Sequence, residues 1–259
     1  MDTWDASDGY DDYMGRWSEP IAREFLDWLD IAPGSRWVDI GCGTGALAAA
    51  IAAAVAPTRL AGVDPSAGFI EAARRRLTGD PDLRVGDAQA LPFDSSSFDA
   101  TVSGLALNFV PDPEVALSEM RRVTRNDGTV AAYVWDYADG MQMIRAFWDA
   151  AVALNPSTAH LDEATRFPLC RPGPLFDLFE SSGLRDVDVT ALEIPTVFRG
   201  FDEYWRPMLG DQGPAPSYVG SLDEHERQRL ESRLRRDLPE SADGTIGLTA
   251  RAWAVRGLV

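Results

Sequence analysis

The chain has 259 residues, 45% of them apolar, which is enough for one α/β domain with insertions and a sizeable core. Acids outnumber basic residues 41 to 24, every basic residue is arginine, and the net charge of -17 repels a phosphate backbone, so nucleic acid is excluded as a partner. The longest apolar run, Ala46 to Ala56, falls well short of the roughly 20 residues that cross a bilayer, the acidic opening is unlike a secretory leader, and Cys42 and Cys170 alone form neither a disulfide framework nor a metal cluster; a soluble, cytoplasmic protein without metal or membrane partner is expected.

Residues 1–33 read as an acidic arm followed by a helix, with Ile21, Phe25, Leu26, Trp28 and Leu29 at helical spacing and Pro33-Gly34 ending the pattern. Strand-like and helical runs then alternate: RWVDI (36–40), ALAAAIAAAVA (46–56), RLAGVD (59–64), AGFIEAARRRL (67–77), DLRVGD (82–87), FDATVSG (98–104), PEVALSEMRRV (113–123) and TVAAYVW (129–135). Such alternation predicts βαβ units and a parallel sheet covered on both faces. Asp112-Pro113 starts a helix, Asn126-Asp127-Gly128 is a turn, and Arg74 to Arg76 form a solvated helix end. Beyond residue 135 the pattern loosens into MQMIRAFWDAAVAL, a proline-bounded loop and a helix over 174–183. DVDVTALEI (186–194) and TARAWAVRG (249–257) alternate as strands and close the sheet as an antiparallel pair. Segments 136–171 and 195–247 are expected as helical caps within a single domain spanning 1–259. The second carries a hinge at 210–216 and a helix opened by a Ser221–Glu224 capping box, with Leu222, Leu230, Leu234 and Leu238 on one face.

The stretch WVDIGCGTG (37–45) runs from a strand into three glycines and a helix, a geometry that brings backbone N–H groups close to a ligand with no Cβ in the way. Gly41-x-Gly43-x-x-Ala46 also satisfies the dinucleotide fingerprint, with Asp64 where a ribose-binding acid belongs. Asp39 argues against a pyrophosphate and for a cationic ligand. GDAQALPF (86–93) places Asp87 beside small Ala88 at a third strand end, suited to an adenine amine and its ring.

VDIGCGTG (38–45), GVDPS (62–66), GDAQALPF (86–93) and FDATVSGLALNFVPDP (98–113) resemble, in order and spacing, the class I S-adenosylmethionine-dependent methyltransferases. The group they are similar to is the small-molecule one that includes ubiquinone and menaquinone biosynthesis methyltransferases. The resemblance covers residues 34–135. It implies a Rossmann-like, mainly parallel seven-strand sheet with an antiparallel final pair, S-adenosyl-L-methionine as cofactor and a small-molecule methyl acceptor. Asp39 with Gly41, Gly43 and Gly45 would surround the methionine part, and Asp64, with Pro65 and Ser66, would take the ribose. Asp87 and Ala88 would bracket the adenine, and Leu105 would line the methyl-donor side. Arg16, helped by Tyr10 or Tyr13, would meet the methionine carboxylate from an N-terminal segment folded over the cofactor.

Ser103-Gly104-Leu105-Ala106 departs from the Asn/Asp-Pro-Pro-aromatic motif of amine-methylating relatives, which argues against base amines as acceptors. If a general base is used, His160 is the candidate, and Trp135, Tyr137, Phe147, Trp148, Tyr204 and Trp205 would wall an apolar acceptor pocket. The alternatives are a nicotinamide-dependent oxidoreductase, favoured by the literal glycine spacing, and a non-catalytic S-adenosylmethionine-binding regulator. Neither the acceptor atom nor the oligomeric state is legible.

Overall fold

The computed structural model describes residues 15–210 and 213–259. Helix α1 (Arg16–Leu29) buries Ile21, Phe25, Leu26 and Leu29 and leaves Trp28 half-buried. It leads into β1 (Arg36–Ile40), α2 (Ala46–Val55), β2 (Arg59–Asp64), α3 (Ala67–Arg76), β3 (Asp82–Val85) and β4 (Phe98–Gly104). A short 3-10 turn over Leu107–Phe109 precedes α4 (Pro113–Val123) and β5 (Thr124–Trp135). Then come α5 (Gln142–Leu154), a 3-10 segment (Pro156–Leu161), α6 (Glu163–Arg166), α7 (Pro172–Ser181) and β6 (Arg185–Phe198). The last elements are α8 (Phe201–Trp205), α9 (Pro214–Ser221), α10 (Glu224–Asp237) and β7 (Ile246–Leu258).

The seven strands form one sheet in the order β3-β2-β1-β4-β5-β7-β6, parallel from β3 through β5 and closed by an antiparallel final pair. Val38, Ile40, Ala61, Val63, Ala100 and Val102 are at most 2% exposed, the two-faced burial that demands continuous apolar runs from central parallel strands. The register pairs Ile40 with Val63, Asp64 with Val85, Asp39 with Val102 and Gly104 with Tyr133, so the carboxyl ends of neighbouring strands lie in a row.

The chain divides into two compact units. The first comprises Ser18–Val134, Arg171–Leu192 and Trp253–Val259; the second gathers, among the described residues, 15–17, Trp135–Cys170 and Glu193–Ala252. The second therefore collects the sequence ranges expected as cap insertions.

Local chemistry departs from the expectations in three places. The Asn126-Asp127-Gly128 turn lies inside β5 as a bulge: Phe98 pairs with Thr124 and Ala100 with Thr129, and Asp127 takes φ +55°. The capping box of α10 is Asp223 with Glu226, both reciprocal bonds being present. Ser221 instead ends α9 and donates to the Tyr218 carbonyl at 2.7 Å. Helix α9 takes over the last three residues of the expected hinge, because Pro214 sits at its first turn, where a missing N–H costs nothing; residues 211 and 212 lie outside the described residues.

Candidate functional site

Past Ile40 the backbone turns sharply: the N–H groups of Gly41 and Cys42 both donate to the Val63 carbonyl, at 2.7 and 3.0 Å. Gly41 has φ +70°, and a Cβ there would lie 2.4 Å from the Cβ of Ala106, so the loop after β4 packs directly on this turn. Gly45, at φ +85°, caps α2 without a side-chain bond, and a Cβ on it would press on Ala73 at 3.2 Å. Gly43, between them, donates to Asp64 Oδ2 at 2.9 Å.

Asp64, 6% exposed, ends β2 and ties two segments together, because its Oδ1 also accepts from the Ser66 amide at 2.8 Å. Burial raises its pKa while the Ser66 and Gly43 amides oppose the rise. Pro65 is exposed, and Ser66 caps α3 by accepting from Phe69 N at 3.2 Å. Asp87, two residues past β3, is exposed and accepts from Gln89 N at 2.9 Å; half-buried Ala88 sits inside the turn that the Asp87–Ala90 bridge closes. Leu105 follows β4 with φ +59°, a conformation uncommon for leucine, its amide held by the Tyr133 carbonyl at 2.8 Å. The carboxyl ends of β1 to β4 thus bring Gly41, Gly43, Gly45, Asp64, Pro65, Ser66, Asp87, Ala88 and Leu105 to one edge of the sheet.

Asp39 is 1% exposed on β1, and neither carboxylate oxygen has a hydrogen-bond partner. Burial, and then the charge of Asp64, push its pKa up to about 8; the Ala48 amide, outside hydrogen-bonding geometry, opposes this. Burial likewise raises the Cys42 thiol. A carboxyl buried without a partner is costly in either protonation state, and this one lies two residues before the glycine turn.

Arg16 and His160 belong to the other unit. Arg16 donates to Glu203 Oε1 at 3.2 Å and to the Val197 carbonyl at 3.1 Å, with its guanidinium 4.2 Å from the Trp17 ring centre. His160 is exposed, its Nδ1 2.7 Å from the Ser157 carbonyl. Tyr10 and Tyr13 lie outside the described residues. The six aromatic residues expected around an acceptor are all buried, and Tyr204 donates to the Met143 carbonyl at 2.9 Å, so they are core side chains in the described structure. Two residues at the edge escaped sequence reasoning. Thr44 is buried and its Oγ1 accepts from Arg76 at 3.2 Å, for which the sequence carries no signal. The Nδ2 of Asn108 is buried without a partner; an amide inside the apolar run LALNFV was the available clue.

Strand order, closing pair and carboxyl edge together define the class I methyltransferase fold. Residues 38–132 match the family model of the methyltransferase domain. The chain is 38% identical over 120 residues to demethylmenaquinone methyltransferase of Symbiobacterium thermophilum, and 36% identical over 117 residues to that of Staphylococcus aureus strain JH9. Each alignment covers 44% of this chain and 47% of the relative, so the chain spans just under half the length of these curated relatives. Among solved structures, the YcgJ protein of Bacillus subtilis superposes with a TM-score of 0.57 at 17% identity, covering 92% of this chain and 97% of that one. Phosphoethanolamine N-methyltransferase 2 of Haemonchus contortus, in complex with S-adenosyl-L-methionine, gives 0.57 at 17% identity over 97% of this chain and 59% of that one. The nicotinamide alternative falls here: its glycine spacing is met, but a dinucleotide fold continues βα alternation where this sheet closes with an antiparallel pair. The regulator alternative finds no support in these comparisons either.

Proposed function

We propose that the protein transfers a methyl group from S-adenosyl-L-methionine to a small-molecule acceptor. The observation that carries this reading is the edge itself: a glycine turn packed on Ala106 and Ala73 with open space at Gly43, a ribose-suited acid tied to it, and an unpartnered buried carboxyl beside it. A phosphate ligand would oppose ionisation of Asp39, whereas a ligand with an ammonium and a sulfonium favours the ionised form and gains from it. When bound, the cofactor supplies an already activated methyl group, so the protein has chiefly to bind, orient and exclude water. The turn from Gly41 to Gly45 and Asp39 hold the methionine part, Asp64 the ribose and Asp87 with Ala88 the adenine; Leu105 shapes the methyl side. The segments 136–171 and 195–247 are read as the acceptor-selecting caps. The departure from the amine-methylating motif supports a small-molecule acceptor, methylated on oxygen, nitrogen or carbon, other than a base amine. We place the protein in the cytoplasm; no helix among the described residues is long and apolar enough to cross a membrane.

Calorimetry tests this directly. S-adenosylhomocysteine is expected to bind and NAD not to; Asp64→Ala should weaken binding about 30-fold and Asp87→Ala about tenfold, as lost hydrogen bonds to hydroxyls and an amine. Binding of NAD instead, or binding indifferent to both substitutions, overturns the assignment. A mass-spectrometric screen of phenols, quinols and amines for methyl gain then identifies the acceptor.

A further inference from the structure

Within the unit that carries the edge, three side chains hold buried polar atoms without partners: Trp37, Asp39 and Asn108. Trp37 lies two residues upstream of Asp39 on β1, about 6–7 Å farther from the carboxyl edge, and is set aside. The other two flank one contact. Asp39 is two residues before Gly41, Asn108 is two residues after Ala106, and Gly41 and Ala106 meet so closely that no Cβ fits between them. Asp39 offers carboxyl oxygens that become acceptor-only when a cationic ligand favours the ionised form; Asn108 presents an N–H₂ donor. Arg16, the residue expected to meet a carboxylate, already serves Glu203 and the Val197 carbonyl.

Building on the cofactor reading above, we propose that Asn108 and Asp39 form a clamp for the zwitterionic amino-acid end of S-adenosylmethionine, the Asn108 amide donating to its carboxylate and Asp39 accepting from its ammonium. An α-amino acid carries those two groups on adjacent carbons, so a donor and an acceptor must converge from two sides of one small volume. Strand β1 supplies the acceptor just before its turn, and the 3-10 turn after β4 supplies the donor. The left-handed Leu105 reverses the chain at the end of β4 and so sets the direction in which that 3-10 turn leaves the sheet.

The clamp is tested with two ligands that share the adenosine thioether and differ at this end: S-adenosylhomocysteine has the amino acid, and 5′-methylthioadenosine lacks it. Calorimetry on the full chain should show Asn108→Ala weakening S-adenosylhomocysteine about 10- to 100-fold, the range of a hydrogen bond to a charged group, while methylthioadenosine changes less than about twofold. Asn108→Asp should lose at least as much through like charge, and Asn108→His, which keeps an N–H donor, should recover most of the affinity. Asp39→Asn should likewise discriminate between the two ligands. Retained methylthioadenosine binding shows that each variant is folded. Equal weakening of both ligands, or no weakening of either, overturns the clamp and leaves the cofactor assignment standing. A wild-type protein that binds neither ligand overturns the cofactor assignment itself.

Discussion

Replacing Asp39 by asparagine should stabilise the ligand-free protein, and the gain should grow with pH. The carboxyl is buried without a partner, and its pKa is lifted from 3.8 to about 8. Between those values the folded protein holds a proton that the unfolded chain has released. Stability therefore falls as pH rises through this window and levels off above about pH 8. One proton corresponds to about 1.4 kcal/mol per pH unit, so the wild type should lose roughly 2–3 kcal/mol between pH 5 and pH 7 that Asp39→Asn keeps. Below about pH 4 the two proteins should be similar, since a protonated carboxyl and an amide both leave donors unpaired in the same place. Urea denaturation of both proteins at half-unit intervals from pH 5 to 8.5 measures the gap. A difference constant to within about 0.5 kcal/mol across that range would refute the argument that Asp39 is held neutral by burial.

Two further substitutions probe the geometry. Gly41→Ala forces an alanine to φ +70° and its Cβ to within 2.4 Å of Ala106; a loss of about 2–4 kcal/mol in thermal unfolding is expected. Adding Ala106→Gly should restore the part due to the clash, and no recovery would show that the contact is not the cause. Glu163, 2% exposed and bonded to the Trp148 indole, has a pKa raised from 4.5 to about 7, chiefly by burial. The wild type should lose stability relative to Glu163→Gln as pH rises from about 4.5 to 7. Melts at pH 5 and pH 8 should differ by about 2–3 kcal/mol more at the higher pH, and equal gaps would dismiss the effect.

Much of this was legible from residue order. Central strands buried on both faces must be apolar throughout, so RWVDI and FDATVSG stood out with limits that match β1 and β4. Asp39 stood out for the same reason, as the wrong residue for its place. The closing strands were found but ran longer than their alternation suggested, to Phe198 and from Ile246. What stayed hidden depends on contacts between distant segments. Ser221 and Asp223 both fit a capping-box pattern, and the choice was made by α9, a helix whose proline-rich start reads locally as a hinge. Arg16 was assigned through its neighbours in sequence, whereas Glu203 and Val197, over 180 residues away, decide where its guanidinium lies. Asn108 is noticeable in an apolar run, but its lack of a partner is a property of packing and appears only in three dimensions.

Asp64 bonds to Gly43 on one side and to Ser66 on the other, so the turn and the start of α3 are joined through one carboxylate before any ligand enters. The chain entropy lost in shaping this part of the site is therefore lost during folding and does not recur at association. A ligand meets a surface already formed, and its affinity for this part of the protein should carry little penalty from loop ordering. Cutting the tie between Gly43 and Ser66 would transfer that ordering to the binding step, where it would register as a less favourable binding entropy.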